Sequence, residues 1–455
     1  MDKIVQLQRD YFNSNATKAI SFRIEQLRRL EKVIKTNEQL MYDAIYRDFK
    51  KSEFDAYTSE ISFVLNDIRE AIQSLKKWSR RRYVRTNLAN FPASSYIIPE
   101  PLGVSLVIGA WNYPYQLSLA PVVAAIAAGC TVILKPSELS AETSAVMAQL
   151  INTNFDPNYL HVIEGGIPET TALLEQKFDK IFFTGSVPVG KIVYQAAAKQ
   201  LTPVTLELGG KSPAFVTESC HLKMTAKRLI WAKFFNAGQT CIAPDYVLVD
   251  ERIEHAFIQA CIAEIEESHF SFENDNYVQI INERNFDRLM GLIPSEKVVH
   301  GGNSDRHNRF IEPTLLSGIS WEDAIMQDEI FGPILPILSY NHLDDAIREV
   351  KNRPRPLSCY VFTKTTSMRE KILAEISFGG GAVNDALMHI SNPHFPFGGV
   401  GESGIGAYHG EEGFRAFSHY KSILDKPTWF ELGLKYSPRS PKKLKWVKWI
   451  MNTFN

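Results

Sequence analysis

Apolar residues recur at three- and four-residue intervals near the start of the chain, first as Ile20, Ile24, Leu27, Leu30 and Ile34, then as Ile61, Val64, Leu65, Ile68, Ile72 and Leu75. That spacing places each set on one helix face, so the first 75 residues are predicted to be helices packed through single apolar stripes. From about residue 104 the period changes. Short β-branched and aromatic runs at 104–108, 131–134, 160–163 and 181–183 alternate with helical stretches, one of which follows Pro188. Such alternation builds βαβ units and a parallel sheet, whose ligands bind beyond the carboxyl ends of the strands. A second mixed α/β region follows Gly209-Gly210 and runs to about residue 400.

The uncharged stretch 117–134 just reaches the length of a membrane span. Pro121 and Gly129 interrupt it and Thr131–Leu134 is β-rich, so it is predicted to be a buried helix followed by a buried parallel strand of a soluble protein. Composition supports this: 455 residues imply two or three domains, and 45% hydrophobic with 22% charged residues exclude disorder. Fifty basic residues against 51 acidic give a net charge of -1, which excludes a whole-molecule attraction to nucleic acid. The cysteines (Cys130, Cys220, Cys241, Cys261, Cys359) are odd in number and contain no C-x-x-C. Neither a disulfide framework nor a metal site is expected, and a reducing cytoplasm fits. No apolar signal-peptide run opens the chain.

Two basic runs stand apart. Residues 76–85 hold six positive charges, and the chain after Glu431 holds six more with no acid, its lysines interleaved with Trp446 and Trp449. A weak membrane-surface contact through the C-terminal tail is one reading. A solvated linker and a tail packed on a partner subunit is the favoured one.

Several segments carry candidate chemistry. Thr184-Gly185-Ser186-Val187-Pro188-Val189-Gly190-Lys191 departs from a nucleotide-triphosphate loop at Ile192, where a hydroxyl would hold magnesium. What survives is a glycine turn opening a helix whose N-terminus offers N–H groups to a phosphate. Gly399–Gly404 fits G-x-G-x-x-G without closing a strand, and is taken as a glycine-rich loop shaping a site or a subunit contact. Glu207-Leu-Gly-Gly-Lys-Ser-Pro213 ends an apolar stretch in a carboxylate that burial would raise toward general-base range. Gly238-Gln-Thr-Cys241 sets a thiol in a turn. A lone cysteine is usually a small buried hydrophobe, so context decides.

That context is a resemblance. Glu207–Pro213 and Asn236-Ala-Gly-Gln-Thr-Cys241 resemble the two signature motifs of the aldehyde dehydrogenase superfamily. Pro101-Leu-Gly-Val, Trp111-Asn-Tyr-Pro114, Lys135-Pro-Ser-Glu138, Phe183-Thr-Gly-Ser186, Glu329-Ile-Phe-Gly-Pro333 and Pro396-Phe-Gly-Gly follow at the family's intervals. Cys241–Tyr246 and Gly404–Gly410 are similar to the class 3 branch. The resemblance implies an α/β fold with a Rossmann-type parallel-sheet cofactor domain (1–78 and 98–208) and a second α/β catalytic domain (209–400). A small bridging hairpin and C-terminal arm (79–97 and 401–455) would join subunits into a homodimer.

By the same resemblance, the enzyme oxidises an aldehyde to the carboxylic acid with NAD, NADP being left open. Cys241 is the implied nucleophile, forming a thiohemiacetal and then a thioester. Asn112 and the Cys241 backbone N–H hold the oxyanion, and Glu207 activates the hydrolytic water. Lys135 and Glu138 match residues on the adenosine ribose, with Gly185, Ser186 and Gly190 at the pyrophosphate helix. Glu329 matches the carboxylate on the nicotinamide ribose and Phe331 packs near that ring. A glutamate at 138 repels a 2′-phosphate and favours NAD. Val187 departs from the family, where many relatives carry threonine. Phe63, Tyr113 and Trp231 match substrate-funnel positions and imply medium-chain aliphatic or aromatic aldehydes; the alternative is that they are core aromatics, and Phe63 fits either role equally. The alternatives are an acylating dehydrogenase, which passes the thioester to coenzyme A or phosphate, and a non-catalytic membrane-surface protein.

Overall fold

The computed structural model of the chain describes residues 1–454. Helices Asp2–Asn13, Ile20–Thr36, Glu38–Phe49 and a long run over 53–78 come first. Their stripes are buried as the spacing requires: Leu27, Leu30, Ile34, Ile61, Val64, Leu65, Ile68 and Leu75 lie in one core. A hairpin, β1 (Arg82–Val84) and β2 (Ser94–Pro101), leads into β3 (Val104–Ile108), β4 (Thr131–Lys135), β5 (Leu160–Val162), β6 (Lys180–Thr184) and β7 (Val204–Glu207). Helices Pro114–Ala128, Ala141–Asn154, Ile167–Leu174 and Val187–Ala198 connect these five strands in turn. The second half holds β8 (Pro213–Val216), β9 (Tyr246–Asp250), β10 (Val298–His300), a ribbon of β11 (Ser304–Asp305) and β12 (Phe310–Ile311), β13 (Thr314–Leu316), β14 (Ile334–Tyr340), β15 (Ser358–Phe362) and β16 (Gly380–Val383). Two late strands, β17 (Gly404–Ile405) and β18 (Ser418–Asp425), return to the first half.

The first large sheet has the order β17-β7-β6-β3-β4-β5 and is parallel except for β17. The chain leaves β3 toward β4 and β5 on one side and occupies β6 and β7 on the other. The strand order therefore reverses between β3 and β6, and the crevice at their carboxyl ends is where such sheets bind ligands. The second sheet, β10-β13-β14-β9-β8-β15-β16, is parallel except for β10. A third, antiparallel sheet, β1-β2-β18, runs in continuous register from Ser418 opposite Pro101 to Asp425 opposite Ser94.

The uncharged stretch forms Pro114–Ala128 and then β4, and that helix is buried all round except at Ala124. Among the described residues no helix is long and apolar enough to cross a membrane. Opposite charges sit at the helix's two ends. The Glu60 carboxylate accepts the Tyr115 and Gln116 N–H groups at its start (2.8 and 3.4 Å), and the Arg23 guanidinium donates to Ala127 O at its end (3.2 Å). Each complements the helix dipole where water cannot. Gly129 closes the helix with φ +99°, and a Cβ there would press on Arg23.

One boundary differs from the sequence-based expectation. Residues 401–416, grouped with the C-terminal arm, sit on the first domain: Gly404 and Ile405 pair with Glu207 and Leu206, and Phe414 of helix Gly410–Ala416 packs on Trp78 at 5.8 Å. Only β18 joins the hairpin. The reason is that β17 binds by backbone hydrogen bonds alone, which leave no apolar pattern.

Candidate active site

Helix Leu222–Phe234 ends just before three consecutive left-handed residues, Asn236 (φ 54°), Ala237 (φ 50°) and Gly238 (φ 70°). Such backbone costs an alanine or asparagine roughly 1 kcal/mol and persists only where surroundings enforce it. Here they do. Asn236 Nδ2 donates to Asn112 O (3.0 Å) and Gln239 O (3.2 Å). Gln239 Nε2 donates to Gln279 O (3.0 Å) while its Oε1 accepts the Ile281 N–H (3.0 Å). A Cβ on Gly238 would overlap the Gly332 carbonyl. The turn delivers Cys241, partly exposed, at its far side. Burial and the Glu329 and Glu207 carboxylates push its thiol pKa up, against the pull of the Cys241 and Ile242 N–H groups. The group therefore rests as a thiol.

Glu207 ends β7 almost wholly buried, and neither carboxylate oxygen has a hydrogen-bond partner among the described residues. Burial raises its pKa well above the usual carboxylate range, opposed by Lys180. That lysine is itself pushed down to about 8 by burial, and its Nζ donates to Thr205 Oγ1 at 2.7 Å. The Glu207 main chain is clamped from both sides, by Gly185 N–H on its carbonyl (3.0 Å) and by Gly404 of β17. Gly404 and Gly399 approach neighbouring backbone too closely for any side chain. The glycine-rich loop thus lies directly against the end of the Glu207 strand.

Asn112 follows β3 and is buried. One Nδ2 hydrogen goes to Gln239 O (3.0 Å), leaving the second without a partner among the described residues. The next residue, Tyr113, places its hydroxyl 2.6 Å from Thr240 Oγ1, beside Cys241. Its ring carries the Lys51 ammonium at 4.1 Å and stacks on Phe235. Lys51 in turn pairs with Glu60 at 2.7 Å, both side chains fully buried.

The carboxyl ends of β3, β4 and β6 open on one crevice. Lys135 ends β4, donating to Pro136 O (2.7 Å) and reaching Glu138, which is half exposed, at 3.3 Å. Ser186 is the N-cap of helix Val187–Ala198 but its hydroxyl does not cap it, so the first-turn N–H groups stay available. A Cβ on Gly190 would lie 2.6 Å from Leu208 Cδ2, so glycine lets this helix lie close on the sheet. The Glu329 carboxyl rests where a Cβ of Gly209 would be. Burial and Asp245 push it up to about 8, opposed by the Gly210 N–H and by Lys211 and Lys233. Phe331 (φ 51°) meets Trp111 edge-on at 5.4 Å. An amine with a carboxylate for ribose hydroxyls, an open helix N-terminus for a pyrophosphate and a carboxyl on a glycine pair for a second ribose fit a dinucleotide. Among the described residues no cluster of histidine, cysteine and acidic groups has metal-ligand geometry.

The profile of the aldehyde dehydrogenase family matches residues 1–423. The chain belongs to the aldehyde dehydrogenase family. It is 48% identical over 442 residues to the 4,4'-diaponeurosporen-aldehyde dehydrogenase of Staphylococcus aureus, covering 96% of each chain. It is 44% identical to the dimeric NADP-preferring aldehyde dehydrogenase of Mus musculus, covering 98% of this chain and 99% of the other. The solved substrate-bound state of Staphylococcus aureus AldH superimposes with a TM-score of 0.96 at 46% identity, over 99% of both chains. This aldehyde dehydrogenase is thus an NAD(P)-dependent α/β oxidoreductase that oxidises aldehydes.

Beside its thiol loop the enzyme has a cleft of about 990 Å³, lined in part by Trp231, Phe235, Asn236, Tyr42, Tyr46 and Phe54. Phe235 lies between Trp231 (5.5 Å) and Tyr113 (6.5 Å), so its ring separates the cleft from the Thr240 side of the loop. Phe63 is partly buried on helix Ser62–Trp78 and does not line this cleft. Sequence reasoning missed Phe235, Gln239 and the Lys51–Glu60 pair. Phe235 stood one residue before a signature motif, whereas nothing in the pattern marks Lys51 or Glu60.

Proposed function

We propose that this aldehyde dehydrogenase oxidises apolar aldehydes, medium-chain aliphatic or aromatic, to carboxylic acids by hydrolysis of a Cys241 thioester. The observation that carries the hydrolytic route is Glu207, a buried carboxyl with two unpartnered oxygens close enough to raise the Cys241 pKa. Cys241 Sγ, once deprotonated, attacks the carbonyl carbon, and the oxyanion takes the free Asn112 N–H and the Cys241 backbone N–H. Lys135, Glu138, the Ser186 helix N-terminus and Glu329 would hold NAD(P), which when bound would supply the acceptor for the hydride that leaves as the thioester forms. Glu207 then takes a proton from water as its oxygen attacks the thioester, and the Cys241 thiolate leaves with release of the acid. Tyr113, Trp231 and Phe235 give the approach its apolar surface.

A homodimer joined through β1-β2-β18 fits the unpaired edges of that sheet and the dimeric mouse relative. Five free cysteines suit a reducing cytoplasm. The acylating alternative is separated by supplying coenzyme A, which an acylating enzyme requires for turnover. The deciding experiment measures NAD(P)H formation from hexanal, benzaldehyde, 4,4'-diaponeurosporen-aldehyde and a charged semialdehyde, each with NAD and NADP, beside Cys241→Ala. Apolar aldehydes are expected to lead, with no turnover in the variant. Equal rates on the charged semialdehyde, or turnover only with coenzyme A, refute the reading.

A further inference from the structure

We infer that the C-terminal helix Pro441–Phe454 is a docking element for an anionic lipid surface. At 3.6 residues per turn Leu444, Val447, Ile450 and Met451 share one face, with Lys443 beside Val447 and Ile450 and Lys448 at its edge, while Lys445 and Asn452 occupy the reverse side. Trp446 lies on the flank and Trp449 toward the reverse side near Lys442, and the two rings meet edge-on at 5.8 Å. The helix folds back through Lys443 Nζ, which donates to Tyr436 O at 2.9 Å. Other large apolar side chains nevertheless stay in solvent: Leu444 is 54% exposed, Trp446 51% and Met451 56%. A solvated helix of this length has little stability of its own in water, so its apolar face needs a second surface.

Charge selects the occupant. Lys435, Arg439, Lys442, Lys443, Lys445 and Lys448 follow Glu431 without a single acid. Glu431 is itself neutralised by Lys426 (3.1 Å) and Lys435 (3.3 Å). Two copies of so basic a helix repel each other, whereas anionic headgroups attract every lysine. Tryptophan on the flank suits the headgroup level, and long lysine stems reach back to it. Fourteen residues span only about 21 Å, too short for a bilayer core of about 30 Å, so the helix lies in the interface plane rather than crossing it.

The test uses the full-length enzyme. Cosedimentation with phosphatidylglycerol-containing vesicles is compared with pure phosphatidylcholine vesicles, for wild type and K442E/K445E/K448E, with light scattering and benzaldehyde oxidation measured on both proteins. Wild type is expected to pellet with anionic vesicles only and to be released by salt. The variant should bind about a hundredfold more weakly, at unchanged solution activity and oligomeric state. Wild type that ignores anionic vesicles, binding equal on both lipids, or binding unmoved by charge reversal overturns the assignment. So does dissociation of the variant into monomers, which gives the helix to a second copy of the chain. Vesicle binding requires neither aldehyde nor cofactor, so its failure leaves the catalytic reading standing.

Discussion

Burial first, and then the nearby Glu329 and Glu207 carboxylates, raise the Cys241 thiol, and burial raises the Glu207 carboxyl well above the usual carboxylate range, its two oxygens having no hydrogen-bond partner among the described residues. In the proposed thioester hydrolysis Glu207 acts in its ionised form. Its pKa is raised, so the fraction ionised grows with pH through a range well above that of an ordinary carboxylate. Deacylation is therefore expected to climb with pH, and Glu207→Gln should flatten that limb while cutting steady-state turnover by about 10²–10⁴. A burst of NAD(P)H stoichiometric with enzyme should survive in the variant, which rapid mixing reads directly. Asn112→Ala removes the proposed side-chain oxyanion donor and should lower kcat/KM by about 10²–10³. At this scale the placement of Cys241 and Glu207 was legible, because each sits in a contiguous motif whose glycines serve local backbone. The supports of Tyr113 were not: Lys51 and Glu60 reach it only through the packing of distant helices.

Among elements, helix Pro114–Ala128 is the one most dependent on others. It buries apolar side chains on every face and takes charge at both ends from the N-terminal helices, Glu60 at the start and Arg23 at the end. Glu60 lies in a π-type turn over Tyr57–Ile61, a local irregularity that helical periodicity does not announce. Lys51→Met strips Glu60 of its counter-charge and should destabilise the fold by about 3–5 kcal/mol in urea unfolding. Adding Glu60→Gln to that variant should recover part of the loss, because the unpaired charge is gone. Four strands of the first sheet, β3 to β6, were legible from alternation alone and begin and end within a residue of their expected spans, whereas β7 was read only as an apolar stretch ending in Glu207. β17 was not, since two glycine-flanked residues pairing by backbone carry no hydrophobic signature.

For the molecule as a whole, the fold class and family were legible because motifs in order along the chain constrain the fold far more than any one does. The path of 401–416 was not, because no local pattern says which sheet a late segment rejoins. Its return encloses Asp67, which faces Tyr408 and His409 in a small cavity and has Glu70 as its acidic neighbour. Burial pushes Asp67 up to about 7, and His409, down at about 4, stays neutral beside it. Since the folded pKa exceeds the unfolded value, this group's stabilising contribution is complete below about pH 4 and is lost as pH rises through about 7. Asp67→Asn should therefore gain about 2–4 kcal/mol over wild type in urea unfolding near pH 9, and nothing near pH 4. The late strands also bear on biogenesis. β18 seals the hairpin begun at Ser94, and β17 flanks the strand that carries Glu207, so a nascent chain stopped before Gly399 has neither. Translation products that stop before Gly399 consequently emerge with the Glu207 strand unflanked and the third sheet incomplete, so the late segment must be made before either can close.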